Sequence, residues 1–400
     1  MEYDFDEIIP RRGTDCVKYD NPQVKDRLPL WVADMDFATP PFIIDALRTR
    51  LEHPIMGYPA IPTDYYPLIS RWVKNIHGWE VRSAHIRYIP GIVKGIGIAL
   101  NCFLTKGDKV VIQPPVYHPF RLVPKKNGFE VLFNPLIPQR KDGVLTGYKM
   151  DLEGLERLLD GDKKAKALIL ANPHNPAGIC WSEEELRAVA EICHDRGVLV
   201  ISDEIHGEMA HSPFRHHPFA SVSRQAAACS ITFMAPSKTF NIAGIVSSYA
   251  IVTDDTLRDR FFRYLDANEF DYPSIFSVTA TQAAYRYGAQ WRIQMLEYVE
   301  KNIDFLDAFL KEYMPNVHML RPQASFLAWV DFRGLGLSHD ALLDLVENKA
   351  GVFFNDGAMF GQGGEGFLRV NVGCPRSILE AALNKLRTAI SACNEQGNNL

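Results

Sequence analysis

Short apolar runs separated by polar turns dominate the chain between about residues 85 and 255. KVVIQ from Lys109, EVLF from Glu130, ALILA from Ala167, VLVIS from Val198, CSITFM from Cys229 and SSYAIV from Ser247 are brief and mostly rich in Val, Ile and Leu. Runs of this kind predict strands covered on both faces. Helical patterns lie between several of them. Val93–Phe103 is one, and SEEELRAVAEICHD is another, opening at Ser182 with Glu185 three residues on, a capping box. Strands alternating with helices predict an α/β unit built on a mainly parallel sheet.

The last third reads differently. A helical stretch over Thr279–Tyr313 leads to ASFLAWVDF, a helix around Ala341–Ala350 and then FLRVNVG. The final helix is expected to open at Ser377 with Glu380 as a second capping box. This pattern predicts a smaller α+β lobe closed by the N-terminal segment, with Asp271–Phe276 at the hinge. The division expected is a large domain over 47–285, with 1–46 and 286–400 forming the small domain. No internal repeat or low-complexity block appears, and the polar tail EQGNNL is expected to fray.

Length and composition narrow the class. A chain of 400 residues, 47% hydrophobic and 23% charged, buries a large core and is ordinary for a globular protein. A net charge of −5 argues against a general binder of nucleic acid or anionic membrane. The acidic start MEYDFDEII lacks the features of a secretory signal. The most apolar long window, Ile86–Leu104, is broken by Pro90, Gly91, Lys94 and Gly95, so no membrane span is expected. The seven cysteines show no CxxC and are odd in number, which fits a reducing cytoplasm. The twelve histidines form no HExxH. The adjacent pair His216–His217 points two ways on any regular element, so no metal site is expected.

In an open parallel sheet, ligands bind beyond the carboxyl ends of the strands. Polar residues collect there. VLVIS runs into Asp203 of SDEIH, and ALILA into Asn172 of NPHNPAG. CSITFM leads to Ser237 and Lys238 of APSKTFN, and VVIQ leads to Tyr117 of PPVYHPF. Singly, each has an ordinary explanation as a turn, a cap or core. Together they suit pyridoxal 5′-phosphate. Lys238, once desolvated, can form a Schiff base with its aldehyde. A buried carboxylate, Asp203, keeps the pyridine nitrogen protonated so that the ring accepts electrons. The amide of Asn175 can donate to the ring oxygen O3′, and Tyr117 can stack on the ring. In PGIVKGI, Gly91 ends a strand-like run, and the amides of Ile92, Val93 and Lys94 open a helix that favours an anion. Ser237 adds a hydroxyl.

APSKTFNIAG, SDEIHGE, ANPHNPAG, PPVYHPF, PLWVADMDF and MGYP together resemble the fold-type I pyridoxal-phosphate enzymes of the class I/II aminotransferase superfamily. Within it they resemble the cystathionine β-lyase or C–S lyase branch, the MalY/PatB family of cystalysin-like enzymes. The likeness runs from Trp31 to Arg369 and implies the aspartate aminotransferase fold. It implies that Lys238 is the Schiff-base lysine and proton shuttle, that Asp203 pairs with the pyridinium, and that His206 sits near the ring. It implies that Tyr58 of MGYP reaches across from a second subunit, making a homodimer with shared active sites. Arg369 would clamp the substrate carboxylate, with Asn175 and Ala33 beside the substrate. The implied reaction is α,β-elimination from cystathionine or another cysteine S-conjugate, giving a thiol, pyruvate and ammonia. An aminotransferase, or a lyase that also binds and represses a transcription activator, stays open. Two positions depart from the wider superfamily. Ala235 stands where a hydroxyl residue is common, and Val246 stands where an arginine often helps hold the phosphate. His118, after the stacking tyrosine, is a further candidate for proton transfer.

Overall fold

Residues that alternate along one strand must be buried on opposite faces of a sheet, and two separate apolar clusters show both faces covered. Val111, Leu168 and Val200 belong to one cluster. Their neighbours Val110, Ile112, Ala167, Ile169 and Ile201 belong to the other. The computed structural model describes residues 2–395. In chain order its strands are β1 Leu28–Pro29, β2 Ile86–Ile89, β3 Lys109–Ile112, β4 Glu130–Phe133, β5 Ile137–Lys141 and β6 Val144–Lys149. They continue with β7 Ala165–Ala171, β8 Leu199–Asp203, β9 Ser230–Met234 and β10 Ser248–Ile251. The last are β11 His318–Leu320, β12 Leu327–Asp331, β13 Val352–Phe353, β14 Asn355–Asp356 and β15 Phe367–Asn371.

The central sheet has the order β2-β10-β9-β8-β7-β3-β4. Its contacts from β4 through β3, β7 and β8 to β9 are parallel, and only the pairings made by β10 are antiparallel. Every residue of β8, β9 and β10 is buried, as a strand sandwiched between helices requires. Register places Ala171 opposite Asp203 and Asp203 opposite Phe233. The carboxyl ends of β7, β8 and β9 therefore form one level edge, and the predicted polar residues stand on it.

A second, antiparallel sheet has the order β11-β12-β15-β14. The N-terminal segment is tied to the C-terminal part of the chain twice, once in a separate two-stranded sheet and once at β15. β1 pairs with β13 in parallel, and Asn371 Nδ2 donates to the carbonyls of Val32 and Asp34, both at 2.6 Å. The loop after β1 is fixed further by charge. Lys18, with no exposed surface, places its ammonium 2.7 Å from Asp36, while Arg11 reaches Asp36 at 2.6 Å and Asp34 at 2.9 Å. A buried Asp36 and a half-buried Asp34 facing two cations leave no charge uncompensated.

Three expected helices differ in detail. The stretch over Thr279–Tyr313 is two helices, Ile275–Tyr287 and Ala289–Tyr313, broken at Gly288. A Cβ at Gly288 would meet the Ala284 carbonyl and Phe240, both at 2.3 Å, so the break lets Phe240 approach the backbone. The final helix begins at Arg376, and the Pro375 carbonyl accepts from Ile378 and Leu379. Ser377 thus lies inside the first turn and not at its cap, because proline has already set the start. The helix expected around Ala341–Ala350 runs from His339 to Asp344 and continues as a wider turn over Leu345–Lys349. The box at Ser182 forms as read, with the Glu185 amide donating to Ser182 Oγ at 3.2 Å. Of the tail expected to fray, 396–400 lie outside the described residues.

Among the described residues, no helix is long and apolar enough to cross a membrane. No group of three or more His, Cys, Asp or Glu among them is placed to hold a metal ion. His216 instead faces Glu204, Nε2 to Oε2, at 2.8 Å.

Candidate active site

A cavity of about 280 Å³ opens at the level strand edge. It is lined by Lys238, Asp203, Asn175, Tyr117, His206, Ser237 and Ala33, together with Gly91, Ile92 and Val93. Residues predicted from six separate stretches of sequence meet there.

Lys238 follows β9 by four residues, and its Nζ donates to the Ala33 carbonyl at 2.5 Å. Its side chain lines the cavity and is half-buried. Burial brings its pKa down to about 8, and the nearby Arg369 charge acts in the same direction against Asp34 and Asp203. A large share of the amine is therefore neutral near pH 8, as a nucleophile requires. The turn that carries it is pinned to the loop after β1. Asn241, in the left-handed region at φ 53°, accepts from the Met35 amide at 3.0 Å and donates to the carbonyls of Met35 and Phe37. Lysine and Ala33 carbonyl are thus held by one rigid junction.

Asp203 ends β8 facing the cavity. Burial raises its carboxyl to about 7, and Glu204 adds to the rise, while the Ile205 amide and Lys238 oppose it. It accepts from the Ile205 amide at 3.1 Å. A buried acid in this state gains from a cationic hydrogen-bond donor in the cavity. His206 also lines the cavity. Burial takes its pKa down to about 3, with Lys238 and Arg369 contributing, so the ring is neutral, and its Nδ1 is buried without a partner.

Arg369 sits in β15, buried, and burial lowers its pKa to about 10. It donates to Asn175 Oδ1 at 2.9 Å, Asn355 Oδ1 at 2.5 Å and the Trp31 carbonyl at 3.2 Å, with its guanidinium 5.0 Å from the centre of the Phe360 ring. Among the described residues no carboxylate pairs with it. Arg369 does not itself line the cavity; it is joined to it through Asn175. Because Asn175 Oδ1 is taken by Arg369, its Nδ2 is the donor left for a ligand. Tyr117 is fixed to the same loop, its amide donating to the Asn175 carbonyl at 3.0 Å.

At the far end, Gly91 has φ 104°, a conformation that favours glycine, and caps the helix Ile92–Phe103. The first amides of that helix lack intrahelical partners, as at any helix start, and are suited to an anion.

Three predicted residues lie elsewhere. The Asn172 side chain turns away from the cavity, donating to the His217 carbonyl at 2.8 Å and lying 3.5 Å from Glu204. Tyr58 is fully exposed, on an irregular segment, and does not line this chain's cavity. His118 does not line it either; its Nδ1 is buried without a partner, and burial lowers its pKa, with Arg369 and Arg121 adding to the effect.

Sequence reasoning missed several supporting groups. Trp31 and Asn355 hold Arg369. Behind Asp203, Glu204 accepts from Ser202 Oγ at 2.8 Å and from the Phe219 amide at 2.8 Å, besides its contact with His216. The adjacency of two acids in SDEIH was the available signal: at a strand end, neighbours face opposite sides.

The donor set fits pyridoxal phosphate: an amine of lowered pKa, an acid awaiting a cation, an amide N–H, an aromatic face and free helix-start amides. Comparison with known proteins agrees. The family described as Aminotransferase class I and II matches residues 25–386. The chain is 42% identical over 391 residues to cystathionine beta-lyase PatB of Bacillus subtilis, covering 97% of this chain and 100% of the relative. It is 32% identical to protein MalY of Escherichia coli, covering 98% and 99%. Among solved structures it superposes on cystalysin from Treponema denticola, which contains pyridoxal 5′-phosphate. That match has a TM-score of 0.92 and 33% identity, over 98% of this chain and 100% of that one.

Proposed function

This chain belongs to the aminotransferase class I and II family, and we propose that within it the cavity at Lys238 performs α,β-elimination on cystathionine or another cysteine S-conjugate. The observation that carries the reading is the placement of Lys238, its pKa lowered to about 8, and a buried Asp203 on one cavity, with an Arg369 that has no carboxylate partner among the described residues behind Asn175. Pyridoxal phosphate, when bound, supplies an aldehyde for covalent attachment and a ring that draws electrons from the substrate Cα.

The chain's residues do the rest. Asp203 would hold a proton at the ring nitrogen, and Asn175 Nδ2 would donate to the ring oxygen. Tyr117 covers one face. Arg369 binds the substrate carboxylate and so fixes which bond to Cα stands across the ring. Lys238 takes the Cα proton at Nζ. The substrate's sulfur then departs from Cβ as a thiol, and one water hydrolyses the three-carbon amine that remains to pyruvate and ammonia.

Purified protein given cystathionine is expected to release pyruvate and homocysteine with no keto acid added. Turnover that depends on an added keto acid would instead assign the chain to transamination. A pH dependence follows from Lys238. Attachment needs the neutral amine, whose fraction grows about tenfold per pH unit below the pKa. With that pKa at about 8, cofactor uptake by the cofactor-free protein should speed up toward pH 8 and level off above it. Stopped-flow absorbance reads this directly, and a flat profile from about pH 6 to 9 contradicts the assignment of Lys238.

The same reading extends to assembly and organisation. Tyr58, Ile55 and Met56 expose large apolar surfaces on one segment, which supports a homodimer in which Tyr58 enters the partner's cavity. The seven free cysteines support a cytoplasmic location. The separate antiparallel sheet and its ties to the N-terminal segment support a large domain over 47–285 and a small domain from 1–46 and 286–400.

A further inference from the structure

Val246 stands eight residues after Lys238, and it cannot hold an anion. It is also conformationally unusual. Its backbone is left-handed, φ 58° and ψ 60°, where a β-branched residue is rare. The turn it makes brings the chain against the helix start: Val246 Cγ1 lies 3.6 Å from where a Cβ on Gly91 would be. The next residue, Ser247, has no exposed surface. It lines the cavity, and its Oγ has no hydrogen-bond partner. Buried hydroxyls are normally satisfied, so a lone one on a cavity wall marks a place where a ligand atom belongs.

A second anomaly stands at the same end. Lys94 is the third residue of the helix Ile92–Phe103 and lines the same cavity. A cation in a first helical turn is opposed by the helix dipole. That turn has no acidic residue, and among the described residues no carboxylate pairs with Lys94. Helical side chains lean toward the N-terminus, here toward Gly91 and the free amides. An anion at that point would satisfy the lysine, the amides and the hydroxyl together.

We propose that Ser247 and Lys94 complete the phosphate grip of this cavity, supplying the hydroxyl and the cation that positions 235 and 246 do not. The proposal rests on the reading of the cavity as a pyridoxal-phosphate site. Ser247 Oγ donates to a phosphate oxygen from within the wall. Lys94 Nζ neutralises charge from the solvent side, and Ser237 and the helix-start amides fill the remaining positions.

Pyridoxal, which lacks the phosphate, separates this role from a general effect on the fold. Cofactor-free protein, prepared from the purified enzyme, is titrated with pyridoxal phosphate and with pyridoxal, followed by absorbance. Ser247→Ala is expected to weaken pyridoxal phosphate about tenfold, as loss of a hydrogen bond to a charged group does. Lys94→Met is expected to weaken it about fivefold at low salt and to flatten its dependence on ionic strength. Lys94→Arg should retain both properties, and pyridoxal affinity should not change in any variant. An unchanged affinity for pyridoxal phosphate in either variant overturns the role of that residue. Equal losses for pyridoxal and pyridoxal phosphate overturn the phosphate assignment as a whole. If the unaltered protein takes up neither compound, the cofactor reading itself is wrong, and that result appears before any variant is compared.

Discussion

Lys238→Ala is expected to lower pyruvate release from a cysteine S-conjugate by at least about 10³-fold, the scale set by loss of a positioned base and nucleophile. The fold should survive it. The Nζ makes one hydrogen bond, to the Ala33 carbonyl, and burial works against its charge, so removing it relieves a desolvated cation. Thermal melting of the cofactor-free protein should therefore be unchanged or slightly higher. Lys238→Arg should be as inactive as the alanine variant, because a guanidinium stays protonated and cannot act as the amine. Rates measured by coupling pyruvate to a reporter reaction decide the matter. A Lys238→Ala protein that kept a tenth of the activity would place the reacting amine elsewhere.

The second large effect is expected at Arg369. Its guanidinium spans Asn175 Oδ1, Asn355 Oδ1 and the Trp31 carbonyl. A lysine ammonium is a point donor on a flexible stem and cannot bridge three acceptors while presenting a planar edge to a carboxylate. Arg369→Lys should lower kcat/KM by about 10²- to 10³-fold, with much of the loss in KM, since carboxylate binding is shared by ground state and transition state. Arg369→Met goes further and leaves three buried acceptors without a donor. Each lost partner costs about 1–3 kcal/mol, so a clear drop in the urea midpoint should accompany it. A wild-type KM in the lysine variant would mean that the substrate carboxylate is held by another group.

The two positions differ in how far sequence could reveal them. Lys238, Asp203, Tyr117 and Gly91 end or follow apolar runs, and a parallel sheet gathers such ends on one edge. Local pattern was enough to bring them together. Arg369 needed more. In isolation it reads as an ordinary strand residue, and its contacts with Asn175 and Trp31 span 194 and 338 residues of chain. No periodicity carries information over that distance. Only the resemblance of FLRVNVG to a known motif placed it. Asn172 and Asn175 show the limit from the other side. Both are amides of the same turn, but the first joins the network around Glu204 and only the second meets the cavity. Which side an irregular residue faces is set by its tertiary partners, here the His217 carbonyl and Arg369. The break at Gly288 was equally hidden, because the ring that needs the space, Phe240, belongs to the lysine turn.

The ties between the two ends of the chain have a consequence for how the protein is made. The loop that supplies the Ala33 and Trp31 carbonyls leaves the ribosome long before Asn371, which holds it and follows 339 residues after Val32. At about 5–20 residues per second that is a wait on the order of tens of seconds. Through it the nascent segment carries Lys18, Asp36 and Arg11 with no strand to dock on, while β7, β8 and β9 can already pair. The central sheet is thus positioned to form before Asn371 has emerged, and the cavity only afterwards. Contacts of such long sequence separation also fold slowly. The nascent chain is therefore expected to pass through a stage with its sheet assembled and Lys238 not yet clamped, the stage at which a chaperone would meet it.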